Sequence, residues 1–200
     1  MKSIYQEKKT RIYAIYGIGS TRFAIALGNY YCSYLRKKTA IIEVGVGNIA
    51  DIPSDKSYKT KSIINEDIVG FTKLKLDYYP SLCYEEVLKI LNGKYEVFIM
   101  DIKELSHDYM NLFRLSDKSM FLCNIASFNR RSSLSCKNVF ENGMVEVEFY
   151  CYLLNNEDKT WYENTYRNSK FYTGIKEMLF IKNPDRLSRE DIEFLKTIGC

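Results

Sequence analysis

Gly17, Gly19, Ser20, Thr21 and Arg22 stand together in "YGIGSTR", between a run of β-formers and an amphipathic segment. Glycines let a chain turn tightly. A helix that starts at Ser20 would aim free backbone N–H groups and a partial positive charge at whatever lies before it. Two hydroxyls and a guanidinium follow at once. The chemistry on offer is anion binding, with phosphate as the natural guest. The stretch matches the end of the phosphate-binding pattern G-x-x-x-x-G-K-[ST], with Gly19 as second glycine and Thr21 as hydroxyl. Ser20 holds the lysine position. Ala14 holds the first glycine position, inside the β-formers, so the loop is short as well. The lysine normally reaches β- and γ-phosphate oxygens, so its absence is expected to cripple hydrolysis. The short loop has fewer N–H groups to wrap a phosphate, which weakens binding itself. A second reading stays open: Gly17 and Gly19 make a tight strand–helix turn and nothing more.

Two acids come next. Glu43 lies near the end of "TAIIEV" and Asp101 near the end of "EVFIMDI". Ligands of open α/β sheets bind beyond the carboxyl ends of the strands, which puts both acids near the glycine turn. Thr21 and Asp101 are then the candidate Mg²⁺ ligands, Asp101 through water. The plainer alternative is that each acid is a hydrogen-bonded strand end. An acid/base pair made from them lacks a nucleophile. Ser20 has no histidine or acid in a G-x-S-x-G arrangement. His107, the single histidine, reads as an exposed residue at a helix start, and no C-x-x-C pair exists. A zinc site is therefore not expected. Cys32, Cys83, Cys123 and Cys151 sit among apolar residues and read as buried, reduced thiols.

The elements that must position these residues are legible from periodicity. Strands are expected at Arg11–Tyr16, Thr39–Val44, Phe71–Tyr79 (closed by Pro80), Glu96–Ile102, Ser119–Ile125, Val145–Leu154 and Glu177–Lys182. Helices are expected at Ser20–Lys37, Tyr84–Leu91, Asp108–Leu115, Arg130–Glu141, Glu157–Arg167 and Ser188–Thr197. The last of these starts on a capping-box-like pair, Ser188 and Asp191. Arg36, Lys37 and Lys38 suit the negative end of the first helix. Gly45–Ile68 reads as a loop with a short element near Ser62–Ile64, and residues 1–10 as a frayed start. Strands alternating with helices predict one α/β domain over residues 1–200. Its sheet is mostly parallel, of about seven strands, with helices on both faces. Tyr30, Tyr31 and Tyr34 read as core and boundary residues. Trp161 and Tyr162 either pack on the sheet or mark a contact surface.

The bulk numbers fit that class. The 200 residues are 46% hydrophobic and 27% charged, with a net charge of +4. The basic clusters are scattered, so no nucleic-acid face is indicated. No apolar run reaches membrane-spanning length, and a cytoplasmic protein is expected.

The order of elements and motifs resembles the MinD/ParA-like group of P-loop ATPases, with their deviant Walker A motif. The likeness covers most of residues 11–198. "YGIGSTRFAIALGNYYCSYLRKKTAIIEV" is similar to the family's P-loop, first helix and second strand, though without either of its loop lysines. Glu43 falls where the second strand delivers an acid to the site. "YEVFIMDIKEL" resembles the Walker B strand, with Asp101 as its acid, and Lys103 stands where the family has glycine. "SDKSMFLCNIASF" is similar to the next helix end and strand. "MLFIKNPDRLSREDIEFL" resembles the late strand and loop that border adenine, at Asn183, Pro184 and Asp185. The resemblance implies ATP or ADP with Mg²⁺ as the cofactor and a homodimer formed through the P-loop face. It extends to short, degenerate bacterial relatives. Some related proteins of the CpaE/TadZ type help position pilus or secretion machinery, which implies protein partners and an indirect membrane association. With the loop lysines missing, the expectation is a pseudo-ATPase acting as an interaction or positioning module. The alternative is a nucleotide-binding switch in which Arg22, or a residue of a partner chain, replaces the lysine.

Overall fold

"TAIIEV" and "VFIMDI" are buried along their whole length. A strand with no solvent face has to lie inside a sheet covered on both sides. In the computed structural model, which describes residues 10–54, 59–65, 67–124, 130–152, 156–167 and 174–199, they are β2 (Thr39–Val44) and β6 (Val97–Ile102), paired in parallel. β1 (Arg11–Gly17) lies on the other side of β6. Beyond it come β7 (Lys118–Cys123), β8 (Glu148–Tyr152) and β9 (Ile175–Met178), all parallel. The opposite wing is β5 (Leu76–Leu82) beside β2, then β4 (Ile68–Lys73) and β3 (Lys61–Asn65), the last two joined antiparallel.

Helices α1 (Ser20–Asn29) and α6 (Arg189–Gly199) cover one face, burying Phe23, Leu27, Leu195 and Ile198. The other face is covered by α2 (Tyr84–Leu91), α3 (His107–Leu115), α4 (Arg130–Asn142) and α5 (Asn156–Tyr166), through Val87, Phe113, Phe140 and Tyr162. Ser188 and Asp191 exchange the two hydrogen bonds of a capping box at the start of α6, at 2.7 and 3.1 Å. Tyr30 and Tyr31 are core residues and Tyr34 is half exposed. Tyr162 is buried against the Phe149 ring of the sheet. Among the described residues no helix is long and apolar enough to cross a membrane.

The sheet has nine strands among the described residues rather than about seven. Phe71–Tyr79 is not one strand but parts of two. The chain reverses at Leu74 and Lys75, both with positive φ, a turn usually announced by Asn-Gly. No glycine marks it here, so the hydrophobic run reads straight through. Ser62–Ile64 belongs to β3, which gains its strand character by pairing with β4. Pro80 does not close the strand. It sits inside β5 where the pairing with β2 slips between Ile42 and Val44, the kind of irregularity that tolerates a missing N–H. The first helix stops being α at Asn29, becomes a π-helical turn over Tyr30–Tyr34, and ends before Arg36, whose φ is +57°. Arg36–Lys38 therefore lie past the helix, and Lys37 pairs with Glu96 at 3.1 Å. The last strand starts and stops earlier than Glu177–Lys182, and β8 starts later than Val145. Residues 1–9, Ile125 and Leu154 lie outside the described residues.

Cys83 is exposed, not buried. It precedes α2 at the carboxyl end of β5, where its N–H donates to Glu86 at 2.9 Å. Cys32, Cys123 and Cys151 are buried, and the cysteines among the described residues are free thiols.

Candidate functional site

β1 runs into Gly17, whose φ of +112° no side chain tolerates well. A Cβ there would collide with the backbone carbonyl of Leu122 on β7. The Ile18 N–H donates to that same carbonyl at 2.8 Å. Gly19, with φ +73°, is the N-cap of α1, and no side chain among the described residues caps that helix. The passage from strand to helix thus takes only Ile18 and Gly19. The first helical N–H groups are left facing outward, as at any uncapped N-terminus. A pocket of ≈380 Å³ opens over the turn, with Gly17, Gly19, Ser20, Thr21, Lys103 and Cys136 in its lining. Burial, helped by the neighbouring Cys136, pushes the Tyr16 phenol on its wall up to about 12. Burial likewise raises the Cys136 thiol. Both stay protonated at neutral pH, so neither offers a nucleophile.

Glu43 and Asp101 are register partners on β2 and β6, and both are fully buried. Glu43 Oε1 accepts the Ile49 N–H at 3.0 Å. Its Oε2 accepts the Ser81 N–H at 3.2 Å and the Ser81 hydroxyl at 3.3 Å. The slip after Pro80 makes this possible: Ser81, at φ +56°, turns its N–H out of the ladder and onto the carboxylate. A side chain at Gly47 would strike Glu43 Oε1.

The cation between these acids is Lys103. Its Nζ lies 2.5 Å from Asp101 Oδ2, 2.5 Å from Thr21 Oγ1 and 3.9 Å from Glu43 Oε1. Asp101 Oδ1 is buried with no hydrogen-bond partner among the described residues. Sequence reasoning saw Lys103 only as a replaced glycine. The missed signal was its spacing: a residue two positions after a strand-end acid projects to the same side of the strand.

A larger pocket, ≈1110 Å³, shares Ile18 and Gly19 with the first and is walled by Arg22, Tyr152, Phe180 and Phe194. Arg22 faces this side: its guanidinium lies 5.2 Å over the Phe180 ring and donates to the Lys182 carbonyl at 3.3 Å. Tyr152 is pushed up to about 12 by burial, against the opposing pull of Arg22. Asn183, Pro184 and Asp185 line neither pocket. Asn29 Nδ2 donates to the Pro184 carbonyl at 3.0 Å, the Asp185 N–H donates to Asn183 Oδ1 at 3.1 Å, and Lys73 pairs with Asp185 at 2.9 Å. The structure therefore gathers Gly17, Gly19, Ser20 and Thr21 in the lining of the small pocket, joins the buried Glu43 and Asp101, which line neither pocket, to Thr21 through Lys103, sets Arg22 on the adjoining pocket, and ties Asn183–Asp185 to the end of α1 and to β4. His107 begins α3 in the open.

No protein-family model matches the chain, and no curated protein matches it. Solved structures do. A plasmid partition protein from Borrelia burgdorferi B31 bound to AMPPNP is similar at a TM-score of 0.60, with 14% identity over 96% of this chain and 97% of that one. A further plasmid partition protein from Borrelia burgdorferi scores 0.55 at 16% identity, over 95% and 96% of the two chains. A ParA family ATPase from Chlorobium tepidum TLS scores 0.55 at 14% identity, over 86% and 84%. The fold is that of the ParA-type ATPases.

Proposed function

We propose that this chain is a ParA-type ATPase homologue that does not hydrolyse ATP and acts as a positioning module through its P-loop face. The observation that carries this reading is the charge at the turn. Two buried carboxylates, Glu43 and Asp101, face one ammonium, Lys103, and no lysine follows the glycines. Arg22 is engaged with Phe180 and the Lys182 carbonyl on the neighbouring pocket. Phosphoryl transfer in this fold depends on cations that draw charge from the β- and γ-phosphates. Here the two carboxylates lie buried beneath the ammonium that lines the pocket and already hold its charge, so it is not free to draw charge from a polyphosphate. The pocket and uncapped helix have the shape for a phosphate group, and that supports the alternative of a nucleotide-binding switch. The relative bound to AMPPNP supports it too.

The interaction reading is supported by the larger pocket. Ile18 is 54% exposed and Phe180 62%, and both border a broad apolar cleft beside the turn. Such a patch on a surface marks a contact site. We assign a second copy of this chain as the occupant, in line with dimerisation through the P-loop face. Sedimentation of the purified chain, with and without Mg²⁺ and ATP, separates the two readings. The module is expected to show the same dimer in both conditions, and Phe180→Asp is expected to shift it to monomer. A dimer that forms only with ATP would establish the switch. A monomer in every condition would remove the second copy as partner.

A further inference from the structure

We infer that Lys103 is a tethered substitute for the divalent cation of this fold, and that Thr21, Glu43 and Asp101 form a metal site hidden beneath its ammonium. In P-loop ATPases the P-loop hydroxyl and the acid at the end of the Walker B strand hold Mg²⁺. Here the corresponding atoms, Thr21 Oγ1 and Asp101 Oδ2, are both bonded to Lys103 Nζ. The ammonium stands where the metal would. Mg²⁺ does not fit beside it, because a second cation would meet Lys103 at contact distance, with Thr21 Oγ1 and Asp101 Oδ2 already engaged.

The donor set nevertheless keeps a metal's chemistry. It offers a hydroxyl and two carboxylates, the hard oxygen donors preferred by Mg²⁺, Mn²⁺ and Ca²⁺. Asp101 Oδ1, fully buried and without a partner among the described residues, is a lone-pair donor that the ammonium leaves unused. Glu43 is already oriented by Ile49 and Ser81. The ammonium also ties the start of α1 to the ends of β2 and β6, a task that metal and nucleotide perform elsewhere. The tie is therefore permanent rather than ligand-dependent. The inference rests on the charge reading of the small pocket and is independent of the proposed dimer.

The test is Mn²⁺ binding, read from the electron paramagnetic resonance of the free ion. Millimolar Mn²⁺ is expected to keep its full free signal with the native chain. Lys103→Ala is expected to take up stoichiometric Mn²⁺, and adding Asp101→Asn to Lys103→Ala to abolish that uptake. Because a ligand of the folded state stabilises it, Mn²⁺ should raise the thermal midpoint of Lys103→Ala and leave the native midpoint unchanged. If Lys103→Ala does not fold alone, refolding in Mn²⁺ is expected to rescue it. Mn²⁺ uptake by the native chain that Asp101→Asn removes would overturn the inference. So would a Lys103→Ala chain that Mn²⁺ neither binds nor rescues. Either result leaves the sedimentation outcome, and with it the proposed dimer, to stand or fall separately.

Discussion

Gly17→Ala is expected to be among the most destabilising single changes in this chain. The left-handed backbone at φ +112° costs an alanine about 1–2 kcal/mol before any contact is counted. The added Cβ would then run into the Leu122 carbonyl, which also holds the Ile18 N–H at 2.8 Å. Both collision partners are backbone of paired strands, so relief requires β1 and β7 to part. The expected loss is about 4 kcal/mol or more, a large share of the ~5–15 kcal/mol that holds a domain folded. Gly174→Ala is the control: φ is +76° there, but no atom of the described residues comes within 4 Å of an added Cβ. It should cost about 1–2 kcal/mol, the backbone term alone. Urea unfolding of both variants measures the difference. Equal, small losses at the two sites would show that the turn is loose and that the close approach of β1 and β7 does not matter.

Lys103→Met should rank beside it. The substitution keeps much of the stem but removes the charge that Asp101 and Glu43 share. Both carboxylates are fully buried, and stranding a buried charge costs about 3–5 kcal/mol. Glu43 keeps its bonds from Ile49 and Ser81, whereas Asp101 is left with none among the described residues. The loss should therefore sit mainly on Asp101. Combining Lys103→Met with Asp101→Asn is expected to recover part of it, since an amide needs no counter-charge. Chemical unfolding of the two single variants and the double variant closes the cycle. A Lys103→Met loss of under ~1 kcal/mol would be the behaviour of an exposed pair and would deny the ammonium its place in the fold.

What the sequence made legible and what it concealed follow from the range of the interactions. β2 and β6 were readable because an unbroken apolar run is a local pattern, and Glu43 and Asp101 were readable as strand-end acids for the same reason. Their adjacency followed from the parallel sheet once its order was granted. The β4–β5 turn was hidden because Leu74 and Lys75 adopt positive φ with no residue that favours it. There tertiary pairing overrides local preference. Pro80 looked like a terminator because its missing N–H is a local fact, while the slip that accommodates it belongs to the pairing of β5 with β2. Lys103 was hidden for a related reason. A lysine after a strand usually reaches solvent, and only the assembled strand ends show that its ammonium turns inward to Thr21 and Asp101. Asn183–Asp185 was read by likeness to an adenine border. Lys73, which pairs with Asp185, sits in a strand that the sequence pattern merges with its neighbour.

Phosphate release from ATP in the presence of Mg²⁺, followed on the purified native chain, bears most directly on the central claim. A cradle with two carboxylates, one engaged ammonium and no loop lysine is expected to release phosphate no faster than ATP does in buffer. Addition of EDTA is expected to change nothing. Turnover above that background, lost with EDTA, would mean that a metal and a phosphate-facing cation do assemble at the turn, and the account given for Lys103 would be contradicted.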